Sequence, residues 1–153
     1  MEKIDKLDKK ILNILQKDCS LNTKEIAEVV GLSTTPVYER IKKMENKGVI
    51  KSYVALVDNN KVGKTLVAYC NVSLQLHSTP LLKKFELAMS KFPEIIECYH
   101  IAGSFDYLLK IIVDDMNHYQ DFIKNGLASL DNIAHAQSSF VMTEVKHSTA
   151  IKL

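Results

Sequence analysis

Tryptophan is absent from this 153-residue chain, and arginine occurs once against nineteen lysines. Cys19, Cys70 and Cys98 are odd in number and far apart. That excludes a disulfide framework and a CxxC site, and fits a reducing cytoplasm. With three prolines and five glycines there is no low-complexity tract, and no repeat period is visible. No apolar run approaches the roughly 18 residues a membrane span needs, so no membrane partner is expected. The opening stretch MEKIDKLDKK lacks the apolar core of a secretory signal. His77, His100, His118, His135 and His147 share no ligand spacing with one another or with the cysteines, which argues against a metal site. There is no P-loop and no GxGxxG. Ser104 stands near Asp106 but has no evident base, so an enzyme and a resident cofactor are not expected.

Net charge is only +2, but it is unevenly placed. Residues 1–60 carry eleven bases and nine acids, and residues 33–51 alone carry five bases against two acids. The excess is a mild electrostatic signal. With so few cations per copy, several copies acting together on an anionic polymer are expected.

The excess coincides with the stretch TKEIAEVVGLSTTPVYERIKKMENKG, Thr23 to Gly48. Ile26, Ala27 and Val30 form an apolar edge at helical spacing, and Gly31 sits where a chain leaves a helix through a left-handed residue. Leu32 is expected to plug the turn. Ser33 or Thr34 can cap the next helix, and Pro36 suits its first turn. Val37, Ile41 and Met44 then make one buried stripe. This is the pattern of a helix-turn-helix, whose second helix enters the DNA major groove. At 100° per residue, Thr35, Glu39, Lys42 and Asn46 point away from the stripe. Thr34 and Tyr38 lie on one flank, and Arg40, Lys43 and Lys47 form a cationic rail on the other. Base edges need donors and acceptors at the front, and phosphates need cations at the edge. The alternative for Arg40 is a pairing with a nearby carboxylate, with Lys43 and Lys47 solvated.

Before that unit, Ile4, Leu7, Ile11 and Leu15, widened by Leu12 and Ile14, predict a helix over residues 3–18 capped by Asp5. Asn22 or Thr23 is placed to cap the next, with Glu25 early in it. After it, VIKSYVALVD (Val49 to Asp58) predicts a strand that links domains or pairs with another subunit. Turn residues follow at Asp58, Asn59, Asn60 and Gly63. Strand periods then recur at 66–76, 95–102, 106–113 and 133–145. Helical periods recur after Pro80 and after Asp114 or Asp115. The order β-α-β-β-α-β predicts a ferredoxin-like sandwich, so the fold class is α+β. The expected layout is a helix-turn-helix domain at 1–50, a linker strand and turn at 51–63, and a ferredoxin-like domain at 64–153. Val67, Tyr69, Val72, Leu74, Leu108, Ile111, Ile112, Phe140 and Val141 are more apolar residues than one covered face needs. The bare face is therefore expected to pack on a second copy as an isologous dimer.

Four segments, LDKKILNILQKD, EIAEVVGLSTTPVYERIKKMENKGVIKSY, HIAGSFDYLLKI and VMTEVK, span Leu7 to Lys146. Together they resemble the Lrp/AsnC (leucine-responsive, asparagine-operon, feast/famine) family of transcription regulators. The resemblance implies double-stranded DNA as one partner and a small effector, usually an amino acid, as another. It also implies a homodimer assembling to an octamer. It puts Ser33, Thr35, Val37, Tyr38 and Arg40 at the DNA, to which the helical pattern adds Thr34 and Lys43. It puts an effector loop at His100, Gly103, Ser104 and Asp106, facing Ser138 and Phe140 of a neighbouring subunit. Thr34 stands where the family often has proline, and Thr143 where it often has an acid. The alternative for the loop is a tight hairpin in which Asp106 folds back on its own backbone. The alternative function is an amino-acid-sensing module that acts on a protein partner without DNA.

Overall fold

The computed structural model describes residues 4–153. They form two compact units. One comprises residues up to Leu56 together with Val145–Leu153, and the other is Val57–Glu144. The final segment thus belongs with the helical unit, whereas the sequence pattern assigns it to the sandwich.

The first unit holds α1 (Lys6–Leu15), α2 (Thr23–Val30) and α3 (Thr34–Asn46). Two of the starts are fixed by reciprocal capping. The Asp5 carboxylate accepts from the amides of Leu7 and Asp8, and Asp8 accepts from the Asp5 amide. Asn22 and Glu25 do the same for α2. Each box satisfies amides that a helix start leaves without partners. Gly31 ends α2 at φ 75°, a left-handed turn in which the amides of Gly31 and Leu32 both reach the Ala27 carbonyl. Ile11, Leu12, Ile26, Ala27, Val37, Ile41 and Met44 close into one core, drawn from the helical stripes. Leu32 does not plug the turn. It is 40% exposed, because the left-handed exit turns its side chain outward.

Residues 51–58 form no strand, contrary to the periodicity. The pattern is there, but a strand needs a neighbour to receive its ladder bonds, and the described residues supply none. Tyr53, Val54, Leu56 and Val57 are left exposed along it.

The second unit contains β1 (Leu66–Leu74), α4 (Thr79–Met89), β2 (Ile95–His100), β3 (Tyr107–Val113), α5 (Met116–Asp121) and β4 (Ile133–Phe140). The sheet is antiparallel in the order β2-β3-β1-β4, the ferredoxin-like arrangement. α5 is shorter than the periodicity suggests. It passes into a wide turn at Phe122–Gly126 and a tight one at Leu127–Ser129. β4 stops at Phe140 instead of running to Val145. The core lies between helices and sheet, with Ala68, Cys70, Val72, Leu74, Tyr107, Leu109, Ile111 and Val113 facing Phe85, Met89, Tyr119 and Phe122.

Register settles which face each strand residue takes. Ala68 pairs with Phe140 and Ile111, and Cys70 with Leu109. Val72, Leu74, Ile111 and Phe140 therefore belong to the helix-covered side and are not surplus. The other face carries Val67, Tyr69, Leu108 and Ile112, together with a polar patch. There Lys110 donates to Glu97 at 3.1 Å, and the Tyr99 hydroxyl donates to the same carboxylate at 2.9 Å.

Candidate nucleic-acid interface and effector loop

The front of α3 is built from short polar residues. Ser33 holds the N-cap position in extended geometry (φ −74°, ψ 161°), but its hydroxyl makes no capping bond. Thr34, Thr35 and Tyr38 are exposed on the first turns, and Tyr38 is 51% exposed. Hydroxyls at a helix N-terminus, not spent on the helix itself, are the groups that reach base edges in a groove. Val37 is corrected. Its side chain is fully buried, so it serves the core between α1, α2 and α3 and cannot touch DNA.

Arg40 also differs from the cationic rail expected of it. Its Nη1 donates to Asp5 Oδ2 and Asp8 Oδ1, both at 2.6 Å. The carboxylates of Asp8 and Asp5 raise its already high pKa. The Asp8 amide, then Arg40, holds the Asp5 carboxyl below its usual range. The only arginine is thus a clamp from α3 to the capping box of α1, the alternative weighed from sequence. Lys43 and Lys47 lie exposed on the same flank. Replacing Arg40 by Ala is expected to lower the melting temperature of the first unit and weaken DNA binding, with the slope of log K against log salt unchanged. A slope shallower by about 0.9 would instead show a lost phosphate contact.

Two further contacts tie segments outside the three helices to them, one at α3 and one at the C-cap of α1. Glu45 accepts from Lys42 Nζ at 2.7 Å and from the Tyr53 hydroxyl at 2.9 Å. Gln16 forms a two-way amide pair with the backbone of Ile151, at 3.1 and 2.8 Å. Residues 135 positions apart leave no local signal of contact.

The loop between β2 and β3 is the second candidate. Gly103 turns it at φ 146°, with open space where a side chain would be. An L-residue there would be strained. Ser104 is exposed, and Phe105 stacks near His135 at 6.2 Å. The Asp106 carboxylate does not fold back on its own loop, as the hairpin alternative has it, but reaches across to β1. Its backbone amide donates to Val72 and its carbonyl accepts from Ile101. Its Oδ2 accepts from the Leu74 amide at 2.7 Å, and its Oδ1 lies 3.0 Å from His77 Nε2. The side chain so extends the β1–β3 ladder by one bond, beside the register shift at Ser73/Leu74. The Leu74 amide, more than His77, pulls the Asp106 carboxyl below its usual range.

Of the other residues, His100 ends β2 at the mouth of the loop, and Ser138 and Phe140, expected from a neighbouring subunit, lie on β4. The His100 ring stacks on Tyr107 at 4.8 Å and borders a cleft of about 340 Å³ with Glu86, Ser90 and Cys98. Ser138 and Phe140 are on β4, at the opposite sheet edge from β2. The Tyr119 hydroxyl donates to Ser138, and the Tyr119 ring meets Phe140 edge-on at 5.0 Å. Within one chain β4 meets the loop at its start, through His135 beside Phe105, whereas Ser138 and Phe140 sit farther along it, opposite Cys70 and Ala68. With strands roughly 4.8 Å apart, three steps separate the two edges. No metal-ligating cluster is present among the described residues, and no helix among them is long and apolar enough to cross a membrane.

Residues 4–51 match the family description "Winged helix-turn-helix DNA-binding", and residues 67–151 match "Lrp/AsnC ligand binding domain". The chain is 35% identical over 150 residues to the DNA-binding transcriptional activator DecR of Escherichia coli, covering 98% of this chain and 99% of that one. It is 35% identical over 148 residues to the leucine-responsive regulatory protein of the same species, covering 97% and 90%. A transcriptional regulator of Neisseria meningitidis, solved in complex with L-Met, superposes with a TM-score of 0.93 at 36% identity. That alignment covers 97% of this chain and 96% of the other. Both halves, in this order and over nearly full length, place the chain in the Lrp/AsnC family, and it is a DNA-binding transcription regulator with an effector-binding domain, not an enzyme.

Proposed function

We propose that this regulator reads operator DNA through Ser33, Thr34, Thr35 and Tyr38, with Lys43 at the phosphates, and that an amino acid tunes its binding or assembly. The observation that carries this reading is the front of α3. Its cap hydroxyl is not engaged in capping, and its first turns are polar and exposed. Arg40 and Val37 leave the contact set for the reasons above. The regulator is cytoplasmic in this proposal, where its DNA is.

The exposed face of the sheet supports an assembly that would complete the effector site. The helix-free sheet face carries Val67, Tyr69, Leu108 and Ile112, which suits an isologous contact with a second copy. The extended, exposed segment at residues 51–58 suits antiparallel pairing with its counterpart in that copy. Dimers then build an octamer, in which the Gly103–Ser104 loop of one subunit meets Phe140 of another. At that junction the Gly103 and Ser104 amides suit a carboxylate. The relative solved with L-Met and the leucine-responsive relative support an amino acid as the ligand.

Screening the twenty amino acids by thermal shift should find one or a few that raise the melting temperature, since a ligand of the native state stabilises it. The same ligands should alter a gel shift on promoter DNA. A shift with DNA but no response to any amino acid would remove the effector reading and leave DNA binding standing. The alternative of a sensor acting on a protein partner without DNA has no supporting observation here.

A further inference from the structure

We propose that Glu45 is a positioning residue of the DNA-reading face, because one carboxylate holds both a cation of the recognition helix and the segment leading out of the DNA-binding unit. Oε2 takes Lys42 Nζ at 2.7 Å, and Oε1 takes the Tyr53 hydroxyl at 2.9 Å. Lys42 in turn sits 5.8 Å from the centre of the Tyr38 ring, in cation–π range. A chain of contacts therefore runs from Tyr53, through Glu45 and Lys42, to Tyr38 at the front of α3.

The electrostatics agree with this geometry. Glu45 raises the Lys42 pKa, and Lys42, then Tyr53, lowers that of Glu45. Burial, then Glu45, pushes the Tyr53 phenol up to about 12. All three groups keep their ordinary charge at neutral pH, so the links persist.

The functional meaning follows from what Lys42 would otherwise do. An exposed lysine on a recognition helix releases counterions when it meets a phosphate. Paired with Glu45, Lys42 is held back from the phosphates and instead fixes the Tyr38 ring. Whatever draws Tyr53 away leaves Glu45 with Lys42 alone. Whatever draws Lys42 to DNA leaves Glu45 with Tyr53 alone. The carboxylate thus relates the placement of residues 51–56 to the charge presented at the groove.

The test is a double-mutant cycle on the full-length protein, with E45Q, K42Q and E45Q/K42Q. Affinity for a fixed promoter fragment is measured across a salt series. Gln keeps an acceptor for Tyr53, so E45Q should fold. Its salt slope should steepen by about 0.9, the increment for one further phosphate contact, and in the K42Q background the same change should do nothing. An equal steepening in both backgrounds, which is the effect of deleting a negative charge, would overturn the proposal, as would no change at all. For the Tyr53 link, E45A and Y53F should speed tryptic cleavage after Lys51 relative to cleavage after Lys10, whereas K42Q should not. Equal acceleration at both sites, or none, would overturn that half.

Discussion

Replacing Ile11 by Ala should abolish DNA binding although α1 carries none of the proposed contacts. Ile11 is fully buried at the centre of the helical core. A buried Ile→Ala change costs about 2–5 kcal/mol, and a small unit has little more than that to lose. The second unit has its own core and should survive. Calorimetry of the variant should show the first unit's transition lost or moved below room temperature and the second in place. A single transition that carries both units down together would show that they do not fold independently.

The Asp106→Ala variant should lower the stability of the second unit by about 2 kcal/mol, because it strands a buried amide. Leu74 is 4% exposed, and its amide has Asp106 as acceptor at 2.7 Å. Asp106→Asn keeps an acceptor oxygen and should recover much of the loss. The acid limb should change as well. The folded-state pKa of Asp106 lies below its ordinary value. Its contribution is therefore complete above the unfolded value of about 3.9 and is lost as pH falls toward the lowered one. Wild type should thus lose more stability than Asp106→Asn on going from pH 5 to pH 2. Identical acid profiles would show that the charge of Asp106 contributes nothing. An effector response lost in the Ala variant and intact in the Asn variant would show a structural role. Loss in both, with stability restored by Asn, would return Asp106 to the ligand.

The architecture was largely legible because its signals are local. Apolar spacing marked the stripes of α1, α2 and α3, and Asp5, Asn22 and Gly31 marked helix ends with physical mechanisms. Alternating periods gave the order of the sandwich. Three features escaped for physical reasons. Val49 to Asp58 has a strand's composition, but pairing is decided by a partner and not by propensity. The end of α5 depends on how Phe122 and Leu127 settle into the core, which a 3.6-residue period does not capture. Strand alternation on its own did not say which face of the sheet Phe140 takes, and only the register with Ala68 does.

At the candidate sites the sequence marks stretches, and the structure bears on individual residues within them. Val37 fits both a buried stripe and the DNA assignment implied by resemblance, and burial decides for the stripe. Arg40 fits a cationic rail by its spacing to Lys43 and Lys47, yet its partners Asp5 and Asp8 lie more than thirty positions upstream. Glu45 carries no local signal of its contact, since an acid on a basic helix reads as ordinary solvation and its partner Tyr53 lies beyond the helix.

The route of the backbone has an evolutionary corollary. The chain leaves the helical unit after Leu56 and rejoins it at Val145, where Gln16 receives Ile151. The unit Val57–Glu144 is thus set into the sequence of the other like a cassette, with a seam on either side. Recombination that swaps such a cassette must preserve both seams, so a chimera joined only at the first would leave the Gln16 side-chain amide without the Ile151 backbone it pairs with.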